Sequence, residues 1–382
     1  MSHLPDVLVI GGGVIGLTTA YYAAKAGLRI VVLDRQEPGR ESSWAGAGII
    51  SPGNPARARS PLGRLKAVSA AMFPELSAEL RELTGIDNGY LRCGGLEIQL
   101  SEDAWERRRI AAVLRQERGE GLEQLEVLDR IALHALEPNL AEDLPGAIHF
   151  PGMAQVRNPW HLRALLTACE RLGVGIQPHH EVRQWHRHED RILAVTTDRE
   201  RFEAGAFVIA SGAWSEMLLQ LLGWQVGIHP VRGQIVLLNA GNRLFTHILQ
   251  IGSDYLVPRS DGRVLVGSTE ERVGFDKSTT EEALERLRQM AYRLVPALRQ
   301  AEVERCWAGL RPGNPDGKPV LGPVPGYHNL YVATGHFRSG IHLSPVTGRI
   351  ISEMLQSRPP QLPVEAFSLQ RFQPGKRTIP EK

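Results

Sequence analysis

Apolar positions in this chain follow two periods, and the change from one to the other marks its elements. Val7 to Ile10 is an unbroken, mostly β-branched run, as expected of a strand buried on both faces. It enters Gly11-x-Gly13-x-x-Gly16. Small residues from Leu17 to Ala26 then predict a helix, and Arg29 to Leu33 a second buried strand ending at Asp34. Residues 60–84 carry Leu62, Leu65, Val68, Met72, Leu76, Leu80 and Leu83 at helical spacing. Residues 94–100 alternate like a half-buried strand. Residues 103–118 and 160–172 predict helices, and residues 206–210 a buried strand running into Ser211-Gly212-Ala213-Trp214-Ser215.

From residue 229 the pattern becomes that of an antiparallel sheet. Residues 233–238 form a strand, and residues 254–258 and 262–267 flank Asp261-Gly262, a hairpin signal. Residues 279–295 predict a helix with a capping box from Thr279 to Glu282. The strand at 329–333 leads through Thr334-Gly335-His336-Phe337-Arg338-Ser339-Gly340 to a helix at about 345–356. The fold class that follows is mixed α/β (α+β). A Rossmann-like domain is assembled from segments 1–85, 145–225 and 303–382. An antiparallel-sheet domain of residues 86–144 and 226–302 is inserted into it.

Bulk properties narrow the function. The 382 residues hold 44 basic and 42 acidic side chains, a net charge of +2, which makes no case for nucleic acid or an anionic membrane. Arg107, Arg108 and Arg109 sit beside Glu102, Asp103 and Glu106 and read as a solvated helix face. Cys93, Cys169 and Cys306 are odd in number and lack a CxxC spacing, so they read as free or buried thiols of a cytoplasmic protein. The apolar run from Val7 to Ala24 is broken by glycines and threonines and reads as part of the βαβ unit, not as a signal or anchor.

The chemistry begins at the glycines. GxGxxG is weak by itself in a chain with 39 glycines, but here a strand precedes it, a helix follows and an acid closes the second strand. Gly11 makes the tight turn, Gly13 admits a pyrophosphate to the helix N-terminus, and Gly16 lets helix and strand pack closely. Asp34 accepts from a ribose hydroxyl and repels a 2′-phosphate; Arg35 beside it reads as solvated. Arg311 and Arg338 lie among Gly and Pro after apolar segments, where a guanidinium suits a carboxylate, a structural salt bridge or a cap on carbonyls. Tyr255 either hydrogen-bonds an anion or is a core tyrosine. His179, His180, His186 and His188 read as surface residues, and no metal site is expected.

Taken with Ser43-Trp-Ala-Gly-Ala-Gly48, Pro230-Val-Arg-Gly233, Tyr255-Leu-Val-Pro-Arg259, Gly267-Ser-Thr269, Trp307-Ala-Gly-Leu-Arg-Pro-Gly313, Asp316-Gly-Lys-Pro319 and Gly335-His-Phe-Arg-x-Gly340, the chain resembles the FAD-dependent D-amino-acid oxidase family over nearly its whole length. Within that family it is most similar to the glycine-oxidising members of thiamine biosynthesis. The resemblance implies FAD in the first domain and substrate binding by the second. It implies cofactor contacts at Gly11, Gly13, Val14, Ile15, Gly16, Asp34 and Arg35; at Ser42, Ser43, Ala45, Ala47 and Gly48; at Val182, Ser211, Gly212 and Trp214; and at Arg311, His336, Phe337, Arg338, Ser339, Gly340 and Ile341. Arg338 would clamp the substrate carboxylate, helped by Tyr255, with Arg311 a second active-site arginine.

The FAD would be noncovalent, because no cysteine stands at Ala308 or Gly309 and Cys306 is displaced from them. The implied reaction is hydride transfer from glycine, sarcosine or a small D-amino acid to the flavin, giving the imine. Oxygen then takes the electrons as hydrogen peroxide, and the imine enters thiazole assembly or hydrolyses to glyoxylate and ammonia. Assembly as a homotetramer is implied as well. Two other readings stay open: a dehydrogenase of D-amino acids, proline or sarcosine that uses a carrier or quinone, and a non-catalytic FAD-binding protein or flavin subunit. Leu249 to Asp254 and Glu270 depart from the familiar pattern and leave substrate size open.

Overall fold

The computed structural model describes residues 4–117 and 124–372. Val7–Ile10 lies inside a six-stranded sheet with the order Val320–Pro323, Leu330–Thr334, Ala206–Ile209, Val7–Ile10, Ile30–Leu33, Gly175–Gln177. It pairs in parallel with Ile30–Leu33 on one side and Ala206–Ile209 on the other. The chain winds outward in both directions from this strand, so a crevice opens beyond the carboxyl ends of Val7–Ile10 and Ala206–Ile209. All four residues of Val7–Ile10 are buried, as the unbroken apolar run requires. The helices Val14–Lys25, Pro61–Thr84, Asn158–Arg171 and Gly340–Leu355 share one core with this sheet. A second core joins it to the three-stranded sheet of Val182–His188, Arg191–Thr197 and Arg201–Glu203.

The other large sheet has eight strands in the order Glu302–Gly313, His229–Asn239, Arg263–Gly267, Asp254–Pro258, Ile248–Ile251, Gly95–Ile98, Gly146–Phe150, Glu126–Asp129. Its pairings are antiparallel except where Ile248–Ile251 meets Gly95–Ile98. Leu284, Leu287, Ala291 and Leu294 of the helix Glu281–Leu294 pack on it. Gly146–Phe150 and Glu302–Gly313, which the sequence division assigns to the cofactor segments, belong to this sheet. The first pairs with Gly95–Ile98 and the second with the whole of His229–Asn239.

Two helix starts differ from the sequence reading. Thr279 forms no capping box. The cap position is Thr280, whose side chain makes no capping bond, while its backbone N–H donates to Gln234 Oε1 at 2.8 Å. The last long helix begins at Gly340, before the expected position near 345, and contains Pro345. Proline there removes the donor for the Ile341 carbonyl. Ser344 Oγ donates to that carbonyl at 2.9 Å instead, and the helix continues through the proline.

Candidate active site

At the crevice lies a cavity of about 510 Å³, within the size range of small-molecule sites. One end of it is built by the Gly11–Gly13 turn. A Cβ on Gly16 would sit 1.8 Å from the Gly11 carbonyl, and one on Gly11 would sit 2.5 Å from the Ala210 carbonyl. Helix, turn and neighbouring strand therefore approach backbone to backbone. The N-terminus of Val14–Lys25 carries no acidic side chain and opens onto the cavity. Val14 N–H donates to Ser43 Oγ at 2.9 Å.

Asp34 Oδ2 accepts from the Gly12 amide at 2.7 Å and Oδ1 from the Gln36 amide at 2.9 Å. Burial pushes its carboxyl above the ordinary range against the pull of these amides. Each oxygen keeps a lone pair for a ribose hydroxyl. Arg35 is not solvated: its guanidinium lies 3.6 Å from the centre of the Trp214 ring and pairs with Glu41 at 2.9 Å.

The segment Ser42–Gly48 forms one wall and is held from the far sheet. Trp307 Nε1 donates to the Ala45 carbonyl at 3.1 Å. Arg259 donates to the Ala47 carbonyl at 2.9 Å, the Val156 carbonyl at 3.1 Å and Gln155 Oε1 at 2.5 Å. Burial, with the Arg157 charge adding to it against the pull of Asp261, brings Arg259 down to about 10.

The part of the cavity that Arg311 and Tyr255 border rests on two strand glycines. A Cβ on Gly233 would lie 2.1 Å from Arg311 Nη2, and one on Gly267 would lie 2.6 Å from the Tyr255 hydroxyl. These positions clear the sheet surface for both side chains. Arg311 donates to the Thr269 carbonyl at 2.9 Å and Ser268 Oγ at 2.6 Å. Burial holds it below the usual arginine range, and Arg338 adds to that effect against Tyr255 and Glu270.

Arg338 follows Phe337, whose φ of 48° is left-handed and turns the backbone between the last strand of the six-stranded sheet and the last long helix. Its Nη2 donates to the Ser253 carbonyl at 2.7 Å, and its Nη1 is 3.6 Å from Glu270 Oε2. The arginine side chain keeps 37% exposure, so part of its fork remains free for an incoming anion. His336 and His342 also line the cavity, and burial holds them neutral, at about 3 and about 4.

Every residue proposed from the sequence lines this one cavity except Gly16, whose place is the helix–turn contact. His180 differs from its surface assignment. It is buried, lines the cavity, and bonds the Pro178 carbonyl at 2.8 Å and Glu200 at 3.1 Å. Gln250 lines the cavity from the segment 249–254, which departs from the family pattern, whereas Lys66, Ser268 and His342 line it without being named as site residues by the sequence. Ser268 lay within a recognised segment, Gly267-Ser-Thr269. Lys66 carried no signal, because a lysine on an amphipathic helix normally faces solvent. Among the described residues no cluster of metal-ligating side chains occurs and no helix is long and apolar enough to cross a membrane.

The family description "FAD dependent oxidoreductase" matches residues 6–354, so the chain belongs to that family. It is an FAD-dependent oxidoreductase acting on amines, and FAD is its cofactor. The glycine cradle, the open helix N-terminus and Asp34 fit that cofactor. A glycine oxidase of Pseudomonas aeruginosa is 36% identical over 359 residues, spanning 93% of this chain and 95% of that protein. A bifunctional protein ThiO/ThiG of a Synechocystis species is 34% identical over 97% of this chain, which spans 55% of that protein. The crystal structure of glycine oxidase from Geobacillus kaustophilus matches with a TM-score of 0.91 at 33% identity, covering 98% of this chain and 100% of that one.

Proposed function

We propose that this enzyme oxidises glycine at its Cα–N bond to the imine, with oxygen as final acceptor and hydrogen peroxide as the second product. The observation that carries the reading is that Arg338, Arg311 and Tyr255 border the same cavity that begins at the Gly11–Gly13 turn. FAD, when bound, supplies the hydride acceptor. The Gly11–Gly13 turn and helix N-terminus would hold its pyrophosphate, Asp34 its ribose, and the Ser42–Gly48 wall with residues 336–341 its ring. No cysteine is among the lining residues, which favours noncovalent binding.

The chain's own part is placement. The Arg338 fork takes the substrate carboxylate and the Tyr255 hydroxyl adds a donor, which fixes Cα in the cavity and accounts for much of the rate. Glycine reacts as the free amine: Cα gives up a hydride and nitrogen a proton. Together with oxygen these make peroxide. No protein base at Cα is needed, and the neutral His336 and His342 are engaged by Thr347 Oγ1 at 3.1 Å and the Lys66 carbonyl at 3.0 Å.

The imine takes up water to give glyoxylate and ammonia, or passes to thiazole assembly in thiamine synthesis. The ThiO/ThiG relative, nearly twice as long as the matched part, supports a hand-over to a second unit. Cytoplasmic residence and a homotetramer belong to the same proposal, resting on the three free cysteines and on the family likeness. The test is stoichiometry in air. Equal yields of peroxide, glyoxylate and ammonia from glycine are expected. Reduction of an electron-carrier dye with no peroxide would replace the oxidase by a dehydrogenase.

A further inference from the structure

Lys66 reaches the cavity from the second turn of the helix Pro61–Thr84, between the buried Leu65 and Ala67. Its backbone carbonyl accepts from His342 Nε2 at 3.0 Å, which ties it to the helix that follows Arg338. Among the described residues its ammonium makes no hydrogen bond or ion pair. Burial holds it below the usual lysine range, and the Arg338 guanidinium adds to this.

The substrate end thus carries three cationic side chains, Arg311, Arg338 and Lys66. The acids that line the cavity are engaged at the dinucleotide end: Asp34 by the Gly12 and Gln36 amides, Glu41 by Arg35 and Gln36, Glu181 by Arg183. Glu270 faces Arg338 at 3.6 Å but is half exposed and offsets only part of its charge. Glycine brings one carboxylate, which Arg338 takes. A partly desolvated ammonium with no anion opposite it is unfavourable, and a second carboxylate on the substrate offsets that charge.

We propose that Lys66 binds a second carboxylate of the substrate, so that the cavity accepts dicarboxylic amines as well as glycine. The second carboxylate is carried either on the amine nitrogen or on the side chain. The proposal rests on the amine-oxidase reading and extends its substrate class.

The test compares matched substrates on the holoenzyme: iminodiacetate against sarcosine, and D-aspartate against D-alanine. In the wild type at least one dicarboxylate is expected to have the higher kcat/KM of its pair. In Lys66→Met that ratio should fall at least tenfold, mainly through KM, and Lys66→Arg should restore part of it. The pair that responds identifies which carboxylate Lys66 meets. Ratios unchanged in Lys66→Met while sarcosine or glycine is still oxidised would overturn the proposal and leave the amine-oxidase reading standing. If no amine is oxidised, the amine-oxidase reading fails instead. Binding of iminodiacetate to the oxidised holoenzyme, followed by flavin difference absorbance, then decides on Lys66. Tighter binding to the wild type than to Lys66→Met supports the proposal, and equal binding overturns it.

Discussion

In the proposed reaction, substrate placement turns on Arg338. Its guanidinium is anchored to the Ser253 carbonyl and leans on Glu270, an ion pair loose and exposed enough to yield to an incoming carboxylate. Arg338→Ala should cost about 2–3 kcal/mol of apparent glycine affinity, a KM roughly 30- to 150-fold higher. Arg338→Lys should cost less, since it keeps the charge but loses the fork. Steady-state kinetics on both variants checks this, and a near-wild-type KM in Arg338→Ala would remove Arg338 from the role. At this scale the sequence was most informative where glycine and charge occur together. Arg311, Arg338 and Tyr255 were recognisable by their glycine and proline neighbours and by family likeness. Lys66 and His180 were not, because neither has local punctuation. Only the packing of distant elements turns the one into the cavity and buries the other.

Among the elements, Ser42–Gly48 matters most, because it joins the two sheets through contacts from the larger one. Arg259 supplies one of these, to the Ala47 carbonyl, and ties it to the neighbouring segment through the Val156 carbonyl and Gln155 Oε1. Arg259→Met would leave buried carbonyls without donors, at about 2–3 kcal/mol of stability. The loosened wall should also release FAD more readily. Thermal unfolding and the flavin-to-protein absorbance ratio after dialysis measure the two effects, and wild-type values in both would show that Arg259 does not brace this wall.

Periodicity identified the first βαβ unit and most helices, since each buries a continuous apolar face. It misplaced the start of Gly340–Leu355, because a proline usually marks a first turn and the repair by Ser344 is a side-chain detail. The division at residue 303 also parts residues 303–313 from the strand they pair with. A strand's sheet is decided by its partner, here His229–Asn239, which lies far away in sequence.

For the whole molecule, three buried histidines tie stability to pH. Burial holds His161 and His342 at about 4 and His336 at about 3, against an ordinary value near 6.5. The unfolded chain therefore binds protons that the native one refuses. Their stabilising contribution is complete above about pH 6.5 and is lost as pH falls toward 4, by up to about 2 kcal/mol per histidine at pH 5. The melting temperature should drop between pH 7.5 and pH 5, and a flat profile would contradict the buried, neutral state of these rings.

His336 and His342 also line the cavity, His342 from the last long helix. In the proposed function, cofactor cradle and carboxylate clamp belong to one cavity and one reaction. The most direct measurement is the flavin absorbance of the purified protein, without oxygen, before and after glycine is added. The protein is expected to be yellow, with an oxidised flavin band that bleaches on addition of glycine. A flavin band untouched by glycine, in a protein that holds FAD, would contradict the proposed function.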